Sequence, residues 1–325
     1  MSLPILSPAR LGLRPLAQQT YRLLSSQPSA HASLPARIPH SKTSSVALVA
    51  AAAVAVGAYV AYTRTASSAR AETAGGKPPF ASFGFRTLTL ASSESLNHNV
   101  KHLRFDLPDP QSSSGLTVTS ALLAITFPGG SWLPTLRPYT PINDADDRGH
   151  IDFFVKQYPG GKQSTYLHSL SPGDTVTFVR IPGYSWKANE QAHIGLVAGG
   201  QGITPCYQLL RGILCNPNDN TKITLVWGVN TEADILLDRE LQNLQKQHPG
   251  RLTVKYVVSQ PSGNSAVESS KGRVTSEVLK AAGVAASSGV GKIFLSGPPA
   301  METALVARDG PLAELGYSKK DIHKF

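Results

Sequence analysis

Four short runs of this chain bring together residue types that hold anions and flat rings. In RPYTP, Arg137 to Pro141, a guanidinium able to grip a pyrophosphate bidentately precedes the Tyr139 ring, which can lie against a heterocycle, and the Thr140 hydroxyl, which can donate to a ring nitrogen. A strand end with a proline turn and a surface arginine is the plainer reading of the same residues. In GGKQST, Gly160 to Thr165, two glycines lead into a helix expected to start at Tyr166 and Leu167. Free amides there form an anion cradle to which Ser164 and Thr165 add hydroxyls, although an ordinary loop-to-helix junction would look alike. GGQGITP, Gly199 to Pro205, follows the apolar run HIGLVA and precedes a helix, where glycines admit a phosphate or nicotinamide close to the backbone. Its glycines lack the G-x-G-x-x-G spacing of the usual dinucleotide fingerprint, and a tight strand-to-helix turn also accounts for them. Last, KIFLSGPPAME, Lys292 to Glu302, ends a strand at Ser296 and lifts the backbone over the adjacent crevice through Gly-Pro-Pro.

Two kinds of scaffold must position these runs. From Phe80 to Lys187 short β-type segments, FRTLTL, VKHLRFDL, ALLAITF, IDFFVKQY and DTVTFVRI, are punctuated by turn residues, the pattern of an antiparallel barrel or sandwich. Beyond it, strands expected at His193–Ala198, Ile223–Val229, Leu252–Val258 and Lys292–Ser296 alternate with helices at Thr204–Leu214, Ala233–Gln247 and Val274–Ala282. That alternation predicts a doubly wound parallel sheet whose ligand site lies at the carboxyl ends of its strands. The domains are accordingly drawn at 80–187 and 188–325.

Charge is unevenly distributed over the 325 residues. The net charge is +10, yet no acid precedes Glu72, whereas seven basic residues do, so 24 basic residues face all 21 acidic ones in the remainder. The body of the protein is nearly balanced, which removes the argument for a nucleic-acid partner. Its 41% hydrophobic content fills a core and excludes wholesale disorder. Two cysteines, Cys206 and Cys215, are too few for an iron–sulfur cluster, a zinc ribbon or a disulfide scaffold, and no metal site is expected.

Residues 1–45, acid-free and bearing Arg, Ser and Pro, have the composition of a mitochondrial targeting leader. The apolar run Val46 to Tyr62 then spans about 26 Å as a helix, marginally enough for a single transmembrane anchor. Its alternative is an extension of the targeting region. Residues 63–79 read as a flexible linker.

In identity and order the four runs resemble the signatures of the flavin reductase family that includes ferredoxin–NADP reductase, most closely NADH–cytochrome b5 reductase, with matching features from about Phe85 to Phe325. The leader and span are similar to those of mitochondrial, membrane-anchored members. The resemblance implies an antiparallel FAD-binding β-barrel followed by an NADH-binding parallel-sheet domain. It also implies hydride transfer from NADH to FAD, single-electron delivery to cytochrome b5 or a similar haem protein, and a monomeric catalytic unit. The leader and single anchor point to the outer mitochondrial membrane, and the marginal hydrophobicity of the span is compatible with incomplete transfer and a processed intermembrane-space form. A quinone, a ferric chelate or an oxygenase component is the alternative acceptor.

Carried over by position, the resemblance gives Arg137 to the FAD pyrophosphate, Tyr139 to the isoalloxazine and Thr140 to flavin N5. Gly161, Lys162, Gln163 and Ser164 would hold the FAD phosphates, with Val155 and Tyr158 lining adenosine and flavin. Gly200, Gln201, Gly202, Ile203 and Thr204 would receive NADH, with Thr204 near the flavin. Gly297, Pro298 and Met301 would shape the nicotinamide crevice, and Phe325 would shield the flavin ring. Tyr139, Thr140, Thr204 and Ser296 form the expected catalytic set. Two positions depart from the family: Ser296 stands where its C-G-P-P motif has Cys, and Ser259 stands where an acid often contacts the adenine ribose, which leaves NADH against NADPH open. His98 is either part of a proton relay or a solvated loop residue. Cys206 reads as helix packing. Lys156, Lys162, Arg180 and Lys187 are either a positive face for an acidic haem protein or solvating charges.

Overall fold

The computed structural model describes residues 77–262 and 267–325. The leader, the apolar run 46–62 and nearly all of the linker lie outside the described residues. Among the described residues no helix is long and apolar enough to cross a membrane.

Strand β1 (Phe85–Ser95) shows the alternation that builds the first sheet, with Leu88 and Leu90 buried and Thr87 and Thr89 exposed between them. It pairs antiparallel with β2 (Val100–Asp106) and β6 (Thr175–Ile181). The sheet is completed by β3 (Ala121–Thr126), β4 (Thr135–Tyr139) and β5 (His150–Lys156) in the order β4-β3-β6-β1-β2-β5. No ladder joins the edge strands β4 and β5 among the described residues, so the expected barrel is a half-barrel. Pro138 within β4 has no N–H to offer a further strand, which suits it to an edge. The two edges nevertheless approach, because the Tyr139 ring on β4 meets Phe153 on β5 edge-on at 6.3 Å. Inside the curl Phe153 stacks on Phe178 at 5.6 Å, and Phe105 packs edge-on against both.

The second sheet is parallel throughout, in the order β10-β9-β8-β7-β11-β12. Its strands are β7 (His193–Gly199), β8 (Lys222–Val229), β9 (Leu252–Val258), β10 (Ser269–Lys271), β11 (Lys292–Ser296) and β12 (Ile322–Lys324). Both faces are covered, as a parallel sheet requires. Ile194, Leu196 and Ala198 of β7 pack in one core with Leu209, Leu210 and Leu241, while Val197 belongs to another with Leu279, Leu305 and Leu312. The chain moves outward from β7 to β10 and then returns to lay β11 on the other side of β7, making the gap between their carboxyl ends the topological switch point.

Helix boundaries differ from expectation where side chains cap the backbone. The helix expected from Ala233 is a single 3-10 turn, Glu232–Asp234, followed by a helix at Asp238–Gln247. The Asp234 carboxylate accepts from the Thr231 amide and hydroxyl and closes that turn on itself. Similarly, the Thr275 hydroxyl accepts from the Val278 amide, so the helix expected at Val274–Ala282 spans Ser276–Ala281.

Candidate functional site

A cleft of about 1170 Å³ separates the half-barrel from the carboxyl edge of the parallel sheet, and all four motif runs contribute to its wall. On the half-barrel side the end of β4 presents Arg137, Tyr139 and Thr140. The Arg137 side chain is exposed, donates only to its neighbour's carbonyl at Leu136 (2.8 Å), and has no acidic partner among the described residues. Its charge is thus available to an anion. Burial pushes the Tyr139 phenol up to about 12 despite the nearby Arg137, so it remains a protonated donor.

Opposite Arg137, helix α1 (Lys162–Ser169) begins immediately after Gly161, four residues before the expected start at Tyr166. No side chain caps it, which leaves the amides of its first turn free to point at a ligand. The Ser164 hydroxyl is engaged within the turn, donating to Gly161 O (3.1 Å) and accepting from Tyr158 N (3.2 Å). Thr165 is exposed and lies off the cleft wall, so neither hydroxyl augments the cradle as expected. Gln163 donates to Ala124 O (3.0 Å), while its Oε1, buried on the cleft wall, has no hydrogen-bond partner. An unpaired acceptor, a free guanidinium and uncapped helix amides around one volume fit a pyrophosphate-bearing group with ring and ribose donors.

The other wall forms at the switch point. GGQG follows β7 and helix α2 (Ile203–Leu214) continues it, while Ser296-Gly297-Pro298 follows β11. These two turns pack backbone on backbone: a Cβ on Gly202 would lie 2.1 Å from Ser296 O, and one on Gly199 would lie 2.3 Å from the Met301 sulfur. The buried Trp227 indole donates to Gly200 O (2.9 Å) and fixes the turn from beneath. Gln201 donates to Phe154 O across the cleft (3.2 Å), and the Thr204 hydroxyl donates back to Gln201 O (3.2 Å). The Ser296 hydroxyl, 9% exposed as a residue, makes no hydrogen bond among the described residues and borders the cleft.

Arg137, Tyr139, Thr140, Tyr158, Gly161, Lys162, Gln163, Ser164, Gln201, Gly202, Thr204, Ser296, Gly297, Pro298 and Phe325 line this single cleft. Four expected residues do not. The Val155 side chain points into the half-barrel core, because alternation along β5 sends Phe154 and Lys156 to the cleft instead. Ile203 is buried in the parallel-sheet core, Met301 lies beneath Gly199, and Gly200 supports the turn through its carbonyl. The C-terminal Phe325 is anchored: its amide donates to Leu295 O (3.1 Å), continuing the β11–β12 pairing, and its ring stacks on Phe294 at 5.8 Å.

Phe154, Lys156, Tyr184 and His323 line the cleft without having been expected there. The alternation of IDFFVKQY contains the signal for the first two. Tyr184 and His323 meet ring to ring at 4.7 Å from segments far apart in the chain, which no local pattern encodes. Burial, aided by Lys292, lowers the His323 pKa and favours its neutral ring. Lys156 is not a free surface charge but bonds Asp234 of the other domain at 2.7 Å, with both side chains largely buried. His98 is exposed, contacts Asn99 (2.9 Å) and lies off the cleft wall, so it has the surroundings of a solvated loop residue. Cys206 is fully buried, and burial pushes its thiol up, away from reactivity. The Ser259 hydroxyl donates to carbonyls of Val229 (3.3 Å) and Asn230 (3.4 Å).

Comparison with known proteins places both halves. The model of an oxidoreductase FAD-binding domain matches residues 87–183, and that of an oxidoreductase NAD-binding domain matches 196–307. An NADH-cytochrome b5 reductase 2 of Pyricularia oryzae is 43% identical, the match covering 74% of this chain and 76% of that protein. One of Aspergillus clavatus is 44% identical, covering 74% and 78%. Among solved structures, the cytochrome b5 reductase domain of Ulva prolifera nitrate reductase aligns with a TM-score of 0.64 at 29% identity, covering 74% of this chain and 97% of that one.

Proposed function

The chain belongs to the NADH–cytochrome b5 reductase family, and from that premise we propose that it oxidises NADH and passes the electrons singly to cytochrome b5 or a similar haem protein. It is an FAD-dependent oxidoreductase. Bound FAD supplies the conversion of a hydride into single electrons; the protein supplies alignment and exclusion of water. The observation that carries the reading is the single cleft into which the anion-binding elements of one domain and the glycine turns of the other both open.

In this reading Arg137 and the first amides of α1 neutralise the FAD pyrophosphate, and Tyr139 and Thr140 hold the flavin ring. Gly202, Thr204, Ser296, Gly297 and Pro298 shape the crevice where the nicotinamide meets it. Gln163 Oε1 accepts from the cofactor. Phe325, anchored at the cleft wall, would shield the flavin ring. The residues on the cleft wall accordingly serve to bind and align, and neither paired carboxylates nor a nucleophile is needed among them. The decisive experiment reduces the purified yellow protein anaerobically with NADH and then offers cytochrome b5 and small quinones. Bleaching followed by faster cytochrome b5 reduction supports the reading; faster quinone reduction assigns a different acceptor to the same fold.

The acid-free leader and the apolar run 46–62 support placement in mitochondria with a single anchor in the outer membrane. The marginal length of the run accommodates incomplete transfer and a processed intermembrane-space form. Submitochondrial fractionation with N-terminal sequencing tests this; one uncleaved matrix species would refute it.

A further inference from the structure

Helix α2 starts where the Gly200–Gly202 turn ends, and one of its faces runs along the loop that follows RPYT. Thr204, Gln208 and Arg211, at helical spacings of four and three, share that face. Thr204 borders the cleft. Gln208 is buried and donates from its amide nitrogen to the carbonyls of both Pro141 (2.8 Å) and Asn143 (2.7 Å). Arg211 ends the row in an ion pair with Asp144. From the opposite side β5 grips the same loop: Ile142 N donates to Asp152 O (2.9 Å), and Asp152 N donates to Asn143 Oδ1 (2.9 Å). The loop is therefore held between a strand of its own domain and a helix of the other, and the Pro141 carbonyl that Gln208 bonds belongs to the residue next to Thr140.

We infer that Gln208 is a positioning residue for hydride transfer, setting the register between the turn that receives nicotinamide and the wall that holds the flavin ring. The inference rests on the functional reading above. Two features make this side chain suited to the task. Its two N–H donors are both committed to carbonyls of one loop, so the loop cannot slide along the helix without losing a buried hydrogen bond. The same rigid helix also begins at the NADH-binding turn, so displacement at one end changes the separation at the other. A misplacement of about 1 Å between reacting groups is enough to slow a reaction by about 100-fold.

The test uses the full chain with FAD and the substitutions Gln208→Met, which keeps the length and removes both donors, and Gln208→Glu. The measurements are the visible circular dichroism of bound FAD without NADH, and single-turnover flavin reduction as a function of NADH concentration. Q208M should retain FAD and an NADH concentration dependence within about twofold of wild type, while the saturating rate falls by about tenfold or more and the flavin dichroism changes. In Q208E an ionised carboxylate faces two carbonyls, whereas its protonated form donates to one. Relative to wild type at the same pH, its rate should therefore recover as pH falls from about 8 to about 6, since burial raises such a carboxyl. Arg211, Asp144, Asp147, Asp152 and His150, the charged and titratable groups on the elements packed there, are common to both proteins, so their own titration cancels in the ratio; on the introduced carboxyl, Arg211 and Asp144 act in opposite senses.

A Q208M protein matching wild type in rate and dichroism overturns the inference. So does a rate loss matched by weaker NADH binding with unchanged dichroism. If Q208M cannot hold FAD, the pH response of Q208E decides: recovery supports the inference and its absence overturns it. If the wild-type protein neither holds FAD nor is reduced by NADH, the functional reading falls and this inference with it.

Discussion

The backbone of Gly202 passes so close to Ser296 that a side-chain carbon on the glycine would sit 2.1 Å from the serine carbonyl oxygen. Two turns separated by most of the second domain are thereby joined at the switch point between β7 and β11, and the crevice they form is as rigid as the sheet beneath it.

Gly202→Ala should consequently damage the NADH side and spare the FAD side. The variant is expected to purify with full flavin content, because the half-barrel elements are untouched, while anaerobic bleaching by NADH slows by about 100-fold. A colourless protein, or one that reacts at the wild-type rate, would contradict the packing argument.

Arg137→Ala has the opposite expectation. Removing a guanidinium that lines the same cleft as the start of α1 and has no acidic partner among the described residues should weaken FAD binding by about 10- to 100-fold, the value of a charged hydrogen bond, and the purified variant should regain colour on adding FAD. Full flavin absorbance after extensive dialysis would show that the pyrophosphate is held elsewhere.

Ser296 carries the departure from the family's Cys, with its hydroxyl open to the cleft. Ser296→Cys should raise the single-turnover hydride-transfer rate by about fivefold, equivalent to about 1 kcal/mol of barrier. Ser296→Ala should give no rise; an equal gain with alanine would mean that the hydroxyl hinders rather than that a thiol helps.

Acid stability should depend on Asp152. Burial alone would raise its carboxyl, but hydrogen bonds from Arg104 (both 2.8 Å) and the nearby His102 outweigh burial and hold it well below the usual range. Being depressed in the folded state, this group adds stability above its unfolded value of about 4, and the contribution is lost as pH falls from there toward the folded value. Asp152→Asn should cost about 3 kcal/mol in urea unfolding at neutral pH, and the gap to wild type should narrow below about pH 4. A gap independent of pH would assign the loss to packing rather than charge.

The strands and helices were largely legible, because burial periodicity and turn chemistry act over neighbouring residues: Leu88 and Leu90 alternate with threonines, and HIGLVAG is apolar throughout. Two expectations differ from the structure in local detail: the Asp234 carboxylate, three residues past Thr231, closes the start of one expected helix into a turn, and alternation along β5 buries Val155 while Phe154 and Lys156 line the cleft.

By itself the sequence determined the two-domain order and the four runs that line the cleft, since each run is a short stretch whose glycines, prolines and charges set its own backbone and donors. Tertiary structure decided what those runs face. The Lys156–Asp234 bond, the Gln208 grip on the Pro141 and Asn143 carbonyls, the Tyr184–His323 contact and the Gly202–Ser296 approach all join residues distant along the chain. Such pairs depend on how a curled antiparallel sheet and a twisted parallel sheet lie together, a geometry set by both cores at once and written in neither run alone.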